Sequence, residues 1–254
     1  MPSTRLEVRL LSHTPEPEQT VALAGRLCYS DSGIPELREA VAGNAAQFVE
    51  KLMKLGHLSP LEHASFTFGA EGVSRALLAQ ITRHRIASFS VQSQRYVKQG
   101  EARYVVPPCV EALGADAVAE FARQMETAQE FYRYWLARGL KAEDARFVLP
   151  NAAETRMVFT MNARELLHFF SLRCCNRAQW EIRALAWAML GMCLREAPAI
   201  FGNAGPGCVS ADCTEGSMSC GDTAFANAML NELRAAAARG ASDQDILQAV
   251  TRLI

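Results

Sequence analysis

The amino-acid sequence predicts an α/β protein in which short β-strands are followed by longer α-helices. Residues 8–12 alternate apolar and polar side chains, as a half-buried strand does, and residues 18–28 have the spacing of an amphipathic helix. The same change recurs further along, because residues 64–70 alternate and residues 74–84 return to helical spacing. Two such strand–helix successions indicate the α/β class.

The other helices are predicted from the residues at their ends. Residues 35–55 are expected to form one helix that stops at Gly56, a residue suited to a helix C-cap. Ser59-Pro60-Leu61-Glu62 has the form of a capping box with proline at the first helical position, which predicts a short helix. Amphipathic spacing predicts further helices at residues 117–138, 142–148, 161–174, 177–194, 223–239 and 242–253.

Composition and charge exclude several classes of protein. With 254 residues and a net charge of −1, the chain lacks the basic balance of a general nucleic-acid or membrane-surface binder. Residues 1–19 contain no basic-then-apolar leader, and we see no run of eighteen apolar residues. We therefore expect a soluble cytoplasmic protein whose eight cysteines are reduced thiols.

The most informative local feature is a cluster of cationic side chains. Arg83-His84-Arg85 is followed, after seven residues, by Ser93-Gln94-Arg95-Tyr96. Each guanidinium is a permanently charged planar fork that binds phosphate oxygens two at a time. A solvated basic helix end is the simpler alternative, but it requires no hydroxyl and amide neighbours. The cluster therefore predicts phosphate binding, and Gln80 and His84, four residues apart, are expected to share a helical face.

Three further motifs accompany this cluster: His57 through His63, Asn162-Ala163-Arg164, and Leu172-Arg173 through Gln179-Trp180-Glu181. Together, the four motifs resemble the flavin-dependent thymidylate synthases, whose signature is the Arg-His-Arg, seven-residue gap, Ser pattern. The resemblance covers roughly residues 5–198. It implies a catalytic domain over residues 1–200, built as a mixed β-sheet flanked by long α-helices, and leaves a Cys/Gly-rich loop and a C-terminal helical tail over residues 201–254.

The resemblance also implies an activity. Members of the family convert deoxyuridine monophosphate to thymidylate, with methylenetetrahydrofolate as the carbon donor and tetrahydrofolate as the released product. Bound FAD is reduced by a nicotinamide cofactor, which we expect to be NADPH. The family further implies a homotetramer with active sites between subunits, and binding of neither nucleic acid nor membrane.

Site residues carried over from the family fall into two sets. The nucleotide is expected to contact Gln80, Ser93, Gln94, Arg95, Arg146 and Arg173. The flavin is expected to contact His57, Ser59, Arg83, His84, Arg85, Ile86, Asn162, Arg164 and His168. Two positions depart from the family pattern. Arg177 stands where many members carry a histidine, and His168 stands where an asparagine is common.

Arg173 is the candidate catalytic residue. Uracil C5 must become nucleophilic, and a fixed guanidinium stabilises the negative charge that then develops on the ring carbonyls. Asn162, Phe169 and Arg173 are spaced to lie on one helical face and so to point into one pocket. A salt bridge of Arg173 at a helix end is the alternative. Ser93 is expected to bind rather than attack, because no adjacent base follows from the sequence.

Other functions remain open from the sequence. A flavin reductase or oxidase would retain the nucleotide site but transfer no methyl group, and an RNA-binding module would use the Arg83–Arg95 stretch. Cys208, Cys213 and Cys220 are spaced to offer three thiolates to zinc or an iron–sulfur centre, although they lack a Cys-x-x-Cys pair. A flexible loop of reduced thiols is the simpler interpretation, and we assign no metal-binding residue.

Overall fold

The computed structural model of the protein describes residues 2–97, 102–213 and 215–253. Within these ranges the strands are β1 (Ser3–Thr4), β2 (Glu7–His13), β3 (Ser65–Ser74), β4 (Ala87–Val91), β5 (Tyr104–Val105) and β6 (Glu154–Asn162). The main sheet has the order β2-β3-β6-β4, and β1 pairs with β5 in parallel. The predicted α/β class is confirmed.

Twelve α-helices occur in the described ranges. The first six are α1 (Pro17–Leu27), α2 (Ile34–Val41), α3 (Ala45–Lys54), α4 (Arg75–Ile81), α5 (Pro108–Ala112) and α6 (Ala115–Ala137). The others are α7 (Ala142–Ala145), α8 (Ala163–Arg173), α9 (Trp180–Glu196), α10 (Pro198–Phe201), α11 (Thr223–Ala238) and α12 (Asp243–Leu253). Short 3₁₀ helices lie at Ser59–His63, Arg146–Val148, Gly207–Val209 and Gly216–Met218.

The chain divides into two compact units. The first unit comprises Met1–Glu7, Ala70–Arg83 and Phe89–Val158, and the second comprises Val8–Gly69, His84–Ser88 and Phe159–Ile254. The predicted division into a catalytic domain and a tail at residue 200 stays a prediction. No described helix is both long and apolar enough to cross a lipid bilayer.

Helix α9 forms the centre of the second unit. Residues 185–194 are all buried, so this helix is apolar around its whole circumference, which is the pattern of a core helix. It contacts α8, α10, α11 and α12. The predicted C-terminal helices are confirmed, and both pack onto α9.

In the first unit, the start of α4 is fixed by its neighbours. The Ser74 Oγ accepts a hydrogen bond from the Leu77 backbone N–H at 3.0 Å, as an N-cap does. The backbone N–H of Arg75 donates to the Ala153 carbonyl at 3.0 Å. At Gly72 the φ angle is +66°, and a Cβ there would lie 1.8 Å from the Arg5 carbonyl oxygen, so only glycine fits.

In the first 85 residues, the predicted extents of two helices and one predicted helix cap were wrong. Residues 35–55 form two helices rather than one, because Gly43 and Asn44, both turn-forming residues, separate α2 from α3. The predicted capping box is not formed: the 3₁₀ helix begins at Ser59, and its N-cap is Leu58, whose side chain cannot accept a hydrogen bond. Helix α4 ends at Ile81.

The early end of α4 has a consequence for the cationic cluster. His84 lies three residues beyond the last helical residue, so it does not share a helical face with Gln80 as predicted. The two residues also belong to different units.

The strand β6 was missed, and part of it was predicted as helix. Residues 154–162 alternate between buried and more exposed positions, with Thr155, Met157, Phe159 and Met161 buried. This is the two-residue period of a strand, and it ends where α8 begins at Ala163. Helix α9 likewise begins later than predicted, at Trp180.

Close packing of the tail onto α9 predicts the effect of a small substitution. A Cβ at Gly191 would lie 2.5 Å from the Ile246 Cγ2 atom and 3.0 Å from the Leu233 Cδ2 atom. We expect Gly191→Ala to lower the free energy of unfolding by about 1–3 kcal/mol through overpacking. Thermal unfolding measures this change, and adding Ile246→Leu, which removes the γ-branch methyl at this contact, should restore part of the loss.

Gly43→Ala is the matched control for this substitution. No heavy atom of a described residue beyond its chain neighbours lies within 4 Å of a Cβ at Gly43. Its melting temperature should stay close to that of the parent, within a ΔΔG of about 0.5 kcal/mol. An equally stable Gly191→Ala protein would show that α12 does not pack against α9 as described.

Candidate active site

In the first unit, one glutamate joins two of the predicted nucleotide-binding arginines. The Arg95 Nε donates to the Glu143 carboxylate at 2.9 Å, and the Arg146 Nε donates to the Glu143 backbone carbonyl at 3.0 Å. The hydrogen bond from Arg95 lowers the pKa of Glu143. The side chain of Arg95 is 54% exposed and lies over the Tyr96 ring at 5.4 Å. Both guanidinium groups are therefore held in place at the surface of the unit.

Of the other predicted nucleotide contacts in the first unit, Ser93 and Gln94 directly precede Arg95, and Gln80 lies on α4. The Ser93 Oγ accepts a hydrogen bond from the Arg95 backbone N–H at 3.1 Å, which shapes the turn after β4. Gln94 is buried, and the Gln80 side-chain amide donates to the Ala76 carbonyl at 3.2 Å. Five of the six predicted nucleotide residues thus belong to this unit, and Arg173 belongs to the other.

His84 is the buried centre of the site in the second unit. It is 5% exposed, its Nδ1 lies 2.9 Å from the Glu165 Oε1, and the Arg173 Nε donates to its Nε2 at 3.1 Å. The Phe169 ring packs edge-on against the imidazole, with a centroid separation of 4.9 Å. Burial lowers the pKa of His84, the hydrogen bond that His84 donates to Glu165 opposes this effect, and the charge of Arg173 adds to the lowering.

The junction between β6 and α8 positions these groups. Asn162 is the N-cap of α8, and its Oδ1 accepts a hydrogen bond from the Glu165 backbone N–H at 2.9 Å. It therefore lies before the helix, and the prediction that it shares a helical face with Phe169 and Arg173 was wrong. Phe169 and Arg173 are four residues apart within α8, and both contact His84.

The remaining predicted flavin residues of the second unit are mostly exposed. The His57 Nδ1 lies 3.2 Å from the Tyr29 hydroxyl, and Arg164 forms an ion pair with Glu62. The His168 ring lies 6.0 Å from that of His84. Exposure to solvent is shared by His57, Ser59, Arg85, Ile86, Arg164 and His168.

Arg83 and Arg85 flank the buried histidine in sequence but differ from it in environment. Both are exposed, and no salt bridge joins either guanidinium to a carboxylate within the described ranges. Arg83 belongs to the first unit and Arg85 to the second. Each offers the kind of donor that suits the phosphates of a flavin nucleotide.

Four cysteines line one small cavity in the second unit. Cys208, Cys213 and Cys220 of the Gly-rich loop are joined there by Cys175. Burial raises the pKa of the Cys208 thiol, as does the neighbouring Cys213. In the part of the chain that the structure describes, no three His, Cys, Asp or Glu side chains are arranged to hold a metal ion. The zinc or iron–sulfur alternative therefore gains no support from this arrangement.

Arg177, one of the two departures from the family pattern, has a structural partner. It forms an ion pair with Glu215 and donates to the Met218 sulfur at 3.3 Å. The Arg177 side chain thus links the turn between α8 and α9 to the cysteine-containing loop.

Comparison with known proteins identifies the relatives of the chain. The family described as thymidylate synthase complementing protein matches residues 9–199. A flavin-dependent thymidylate synthase from Geobacter sulfurreducens is 54% identical over 232 residues, which is 90% of this chain and 99% of that relative. The chain belongs to the flavin-dependent thymidylate synthase family.

Two further matches are consistent with this family assignment. The flavin-dependent thymidylate synthase from Clostridium tetani is 46% identical over 236 residues, covering 86% of this chain and 94% of the relative. A solved structure of PolB from Streptomyces cacaoi, a UMP/dUMP methylase bound with 5-Br dUMP, has a TM-score of 0.70 and 25% identity. The structural match covers 79% of this chain and 94% of the PolB chain. The protein is therefore a flavin-dependent methyltransferase enzyme.

Four residues that the sequence analysis did not single out contact predicted site residues or the cysteine loop. Glu143 and Glu165 accept hydrogen bonds from predicted site residues, Tyr29 contacts His57, and Cys175 joins the cysteine loop. Glu165 had a local signal, because an acidic residue three positions after Asn162 has the spacing of a capping box. The other three contacts join segments far apart in sequence.

The buried His84 predicts how stability of the enzyme depends on pH. Because folding lowers its pKa, the unfolded chain takes up a proton at His84 first, near the ordinary value of about 6.5. The stabilisation from neutral His84 is complete above that pH and is lost as the pH falls toward the lower folded-state pKa. We expect the slope to reach up to about 1.4 kcal/mol per pH unit.

Thermal unfolding between about pH 7.5 and pH 5 tests this dependence. His84→Gln should flatten the decline in melting temperature at acidic pH, whereas the control His63→Gln, at an exposed position, should retain it. Identical declines in both variants and the parent would show that His84 does not carry this linkage.

Proposed function

We propose that this enzyme methylates deoxyuridine monophosphate to thymidylate. Methylenetetrahydrofolate would supply the carbon, NADPH would supply the reducing equivalents, and tetrahydrofolate would be released. The observation that carries the proposal is the likeness to PolB, a UMP/dUMP methylase solved with 5-Br dUMP, over 94% of that chain. The naming of the curated relatives as thymidylate synthases supports the same product.

Arg95 and Arg146 are proposed to bind the nucleotide phosphate, together with Gln80, Ser93 and Gln94. The Arg95–Glu143 pair is exposed, and exposed ion pairs contribute little to stability. A phosphate can therefore replace the Glu143 carboxylate as the partner of the Arg95 fork. Before the nucleotide binds, Glu143 accepts the hydrogen bond of Arg95 and keeps its guanidinium in place.

Arg173 is proposed to be the catalytic residue. Its guanidinium stabilises the negative charge that develops on the uracil carbonyls while C5 forms its new bond to carbon. The Nε–H bond to His84 holds this group against a buried neighbour, so its position is set before the substrate arrives.

The flavin is proposed to be FAD, and when bound it supplies the hydride that completes the methyl group. The residues proposed to hold it are His57, Ser59, Arg83, His84, Arg85, Ile86, Asn162, Arg164 and His168. The donor set fits the cofactor, since exposed guanidinium groups suit its phosphates and imidazole and amide groups suit its polar ring edge.

We also propose that the active enzyme is a homotetramer with sites between subunits. Tyr96 and Phe147, adjacent to the two phosphate-binding arginines, are 81% and 83% exposed. Aromatic side chains are enriched at protein–protein interfaces, so these two exposed rings offer a contact surface to another subunit. A cytoplasmic location accords with the eight cysteines, all of which are free thiols.

The proposed reaction predicts a particular folate product. Purified enzyme supplied with deoxyuridine monophosphate, methylenetetrahydrofolate, FAD and NADPH should form thymidylate and tetrahydrofolate in equal amounts, because the hydride comes from flavin. Chromatography of the folates and nucleotides measures both. Stoichiometric dihydrofolate would contradict the flavin route, and NADPH oxidation that needs no nucleotide and yields no thymidylate would favour a flavin reductase.

The two arginine roles predict different kinetic effects. Arg95→Ala should raise KM for the nucleotide about 10- to 100-fold through the lost charged hydrogen bonds, with a smaller change in kcat. Arg173→Ala should lower kcat by about 10²- to 10³-fold, as loss of one fixed donor to a developing negative charge does. Arg95→Lys should bind the nucleotide nearly as weakly as Arg95→Ala, since a point charge cannot reproduce the fork.

Steady-state kinetics with the control variant Arg239→Ala checks these effects. Arg239 is the C-cap residue that follows α11 at the surface, and its replacement should leave both constants unchanged. Small and equal effects of the Arg95 and Arg173 variants would contradict the assigned roles.

A further inference from the structure

Glu165 is a buried carboxylate whose role the family motifs do not explain. It is the third residue of α8 and is 7% exposed. Asn162, not Glu165, supplies the capping hydrogen bond at the start of this helix, and the Glu165 carboxylate meets the His84 Nδ1 at 2.9 Å. Burying a carboxylate is costly unless it is hydrogen-bonded. A residue that only filled space here would be expected to be apolar.

The contacts of His84 fix where its proton lies. The Arg173 Nε carries a hydrogen and cannot accept one, so the His84 Nε2 at 3.1 Å must offer its lone pair. A neutral imidazole has a single N–H, which therefore lies on Nδ1 and is donated to Glu165. The hydrogen bonds run in one direction, from Arg173 to His84 to Glu165.

We propose that Glu165 is a positioning residue for Arg173, acting through the tautomer of His84. While Glu165 accepts from Nδ1, Nε2 stays an acceptor and holds the Arg173 guanidinium in one direction. Glu165 and Arg173 are eight residues apart in α8, about 12 Å along its axis, and the imidazole bridges them. The inference rests on the proposed role of Arg173 in the methylation reaction.

A neutral imidazole suits this task better than a direct carboxylate contact. It accepts the Arg173 hydrogen bond without placing a negative charge against the guanidinium, so the positive field stays available to the substrate. The titratable and charged groups that act on His84 are Glu165, Arg173 and His168. Protonation of His84 would turn Nε2 into a donor facing Arg173, so kcat should fall at acidic pH.

The tautomer itself is measurable. The chain has five histidines, and solid-state NMR of ¹⁵N-histidine-labelled, FAD-loaded enzyme distinguishes protonated from unprotonated ring nitrogens. The signals absent from His84→Asn identify this residue. In the parent, Nδ1 should be protonated and Nε2 unprotonated. Glu165→Leu leaves the buried Nδ1–H without its acceptor, so the proton should move to Nε2 and the Arg173 guanidinium should turn away. An unchanged tautomer in Glu165→Leu would overturn the inference.

Kinetics of Glu165→Gln test the consequence for Arg173. This variant keeps the side-chain volume but allows either tautomer, so kcat should fall about tenfold or more, as expected for a misplaced catalytic group. KM for deoxyuridine monophosphate and the affinity for FAD should change by less than about twofold. The acidic limb of the pH profile of kcat should also move. Glu232→Gln, an exposed residue of the tail, is the control.

Two outcomes separate this inference from the proposed function. If Glu165→Gln unfolds at lower temperature but keeps kcat within about twofold, Glu165 is only structural and the inference is overturned. If Arg173→Ala is inactive while both Glu165 variants are fully active, the proposed function stands and the positioning role is overturned. Full turnover by Arg173→Ala would overturn both the role assigned to Arg173 and this inference.

Discussion

The polar network of the second unit depends on a buried hydrogen-bonded pair, His84 and Glu165, to which the Arg173 guanidinium donates. Neither side chain tolerates burial alone, because an imidazole loses its hydration and a carboxylate loses its charge stabilisation. Together with Arg173 they satisfy one another, and Phe169 closes one side of the imidazole. The apolar helix α9 supports this arrangement, since α8 packs directly on it. The core thus fixes the helix, and the helix fixes the polar groups.

The two units use charge in different ways. The network of the second unit is centred on the buried His84 and Glu165, which suits a group that must be placed before reaction. In the first unit, Arg95 and Glu143 form an exposed pair, and exposed ion pairs contribute little to stability. This difference matches the proposed roles, because a phosphate site must release its ligand whereas Arg173 keeps its position through each turnover.

The sequence identified the family but not the contacts between residues far apart along the chain. Arginine forks and the four ordered motifs identified the family, and the helices of the tail were placed correctly from their spacing. Strand β6 was missed although Thr155, Met157 and Phe159 alternate, because Met161 was assigned to the helix that follows. The burial of His84 between the exposed Arg83 and Arg85 could not be inferred. It depends on Glu165, 81 residues away, and no local spacing reports such a contact.

The central claim is that Glu165 acts on the reaction only through Arg173. A double-mutant cycle with Glu165→Gln and Arg173→Lys, measured as kcat/KM for thymidylate formation, tests it most directly. The effects should not multiply, because once Arg173 has been replaced the orientation set by His84 no longer matters, so the double variant should match Arg173→Lys alone. Fully multiplicative losses would contradict the claim, since they would show that Glu165 and Arg173 contribute independently.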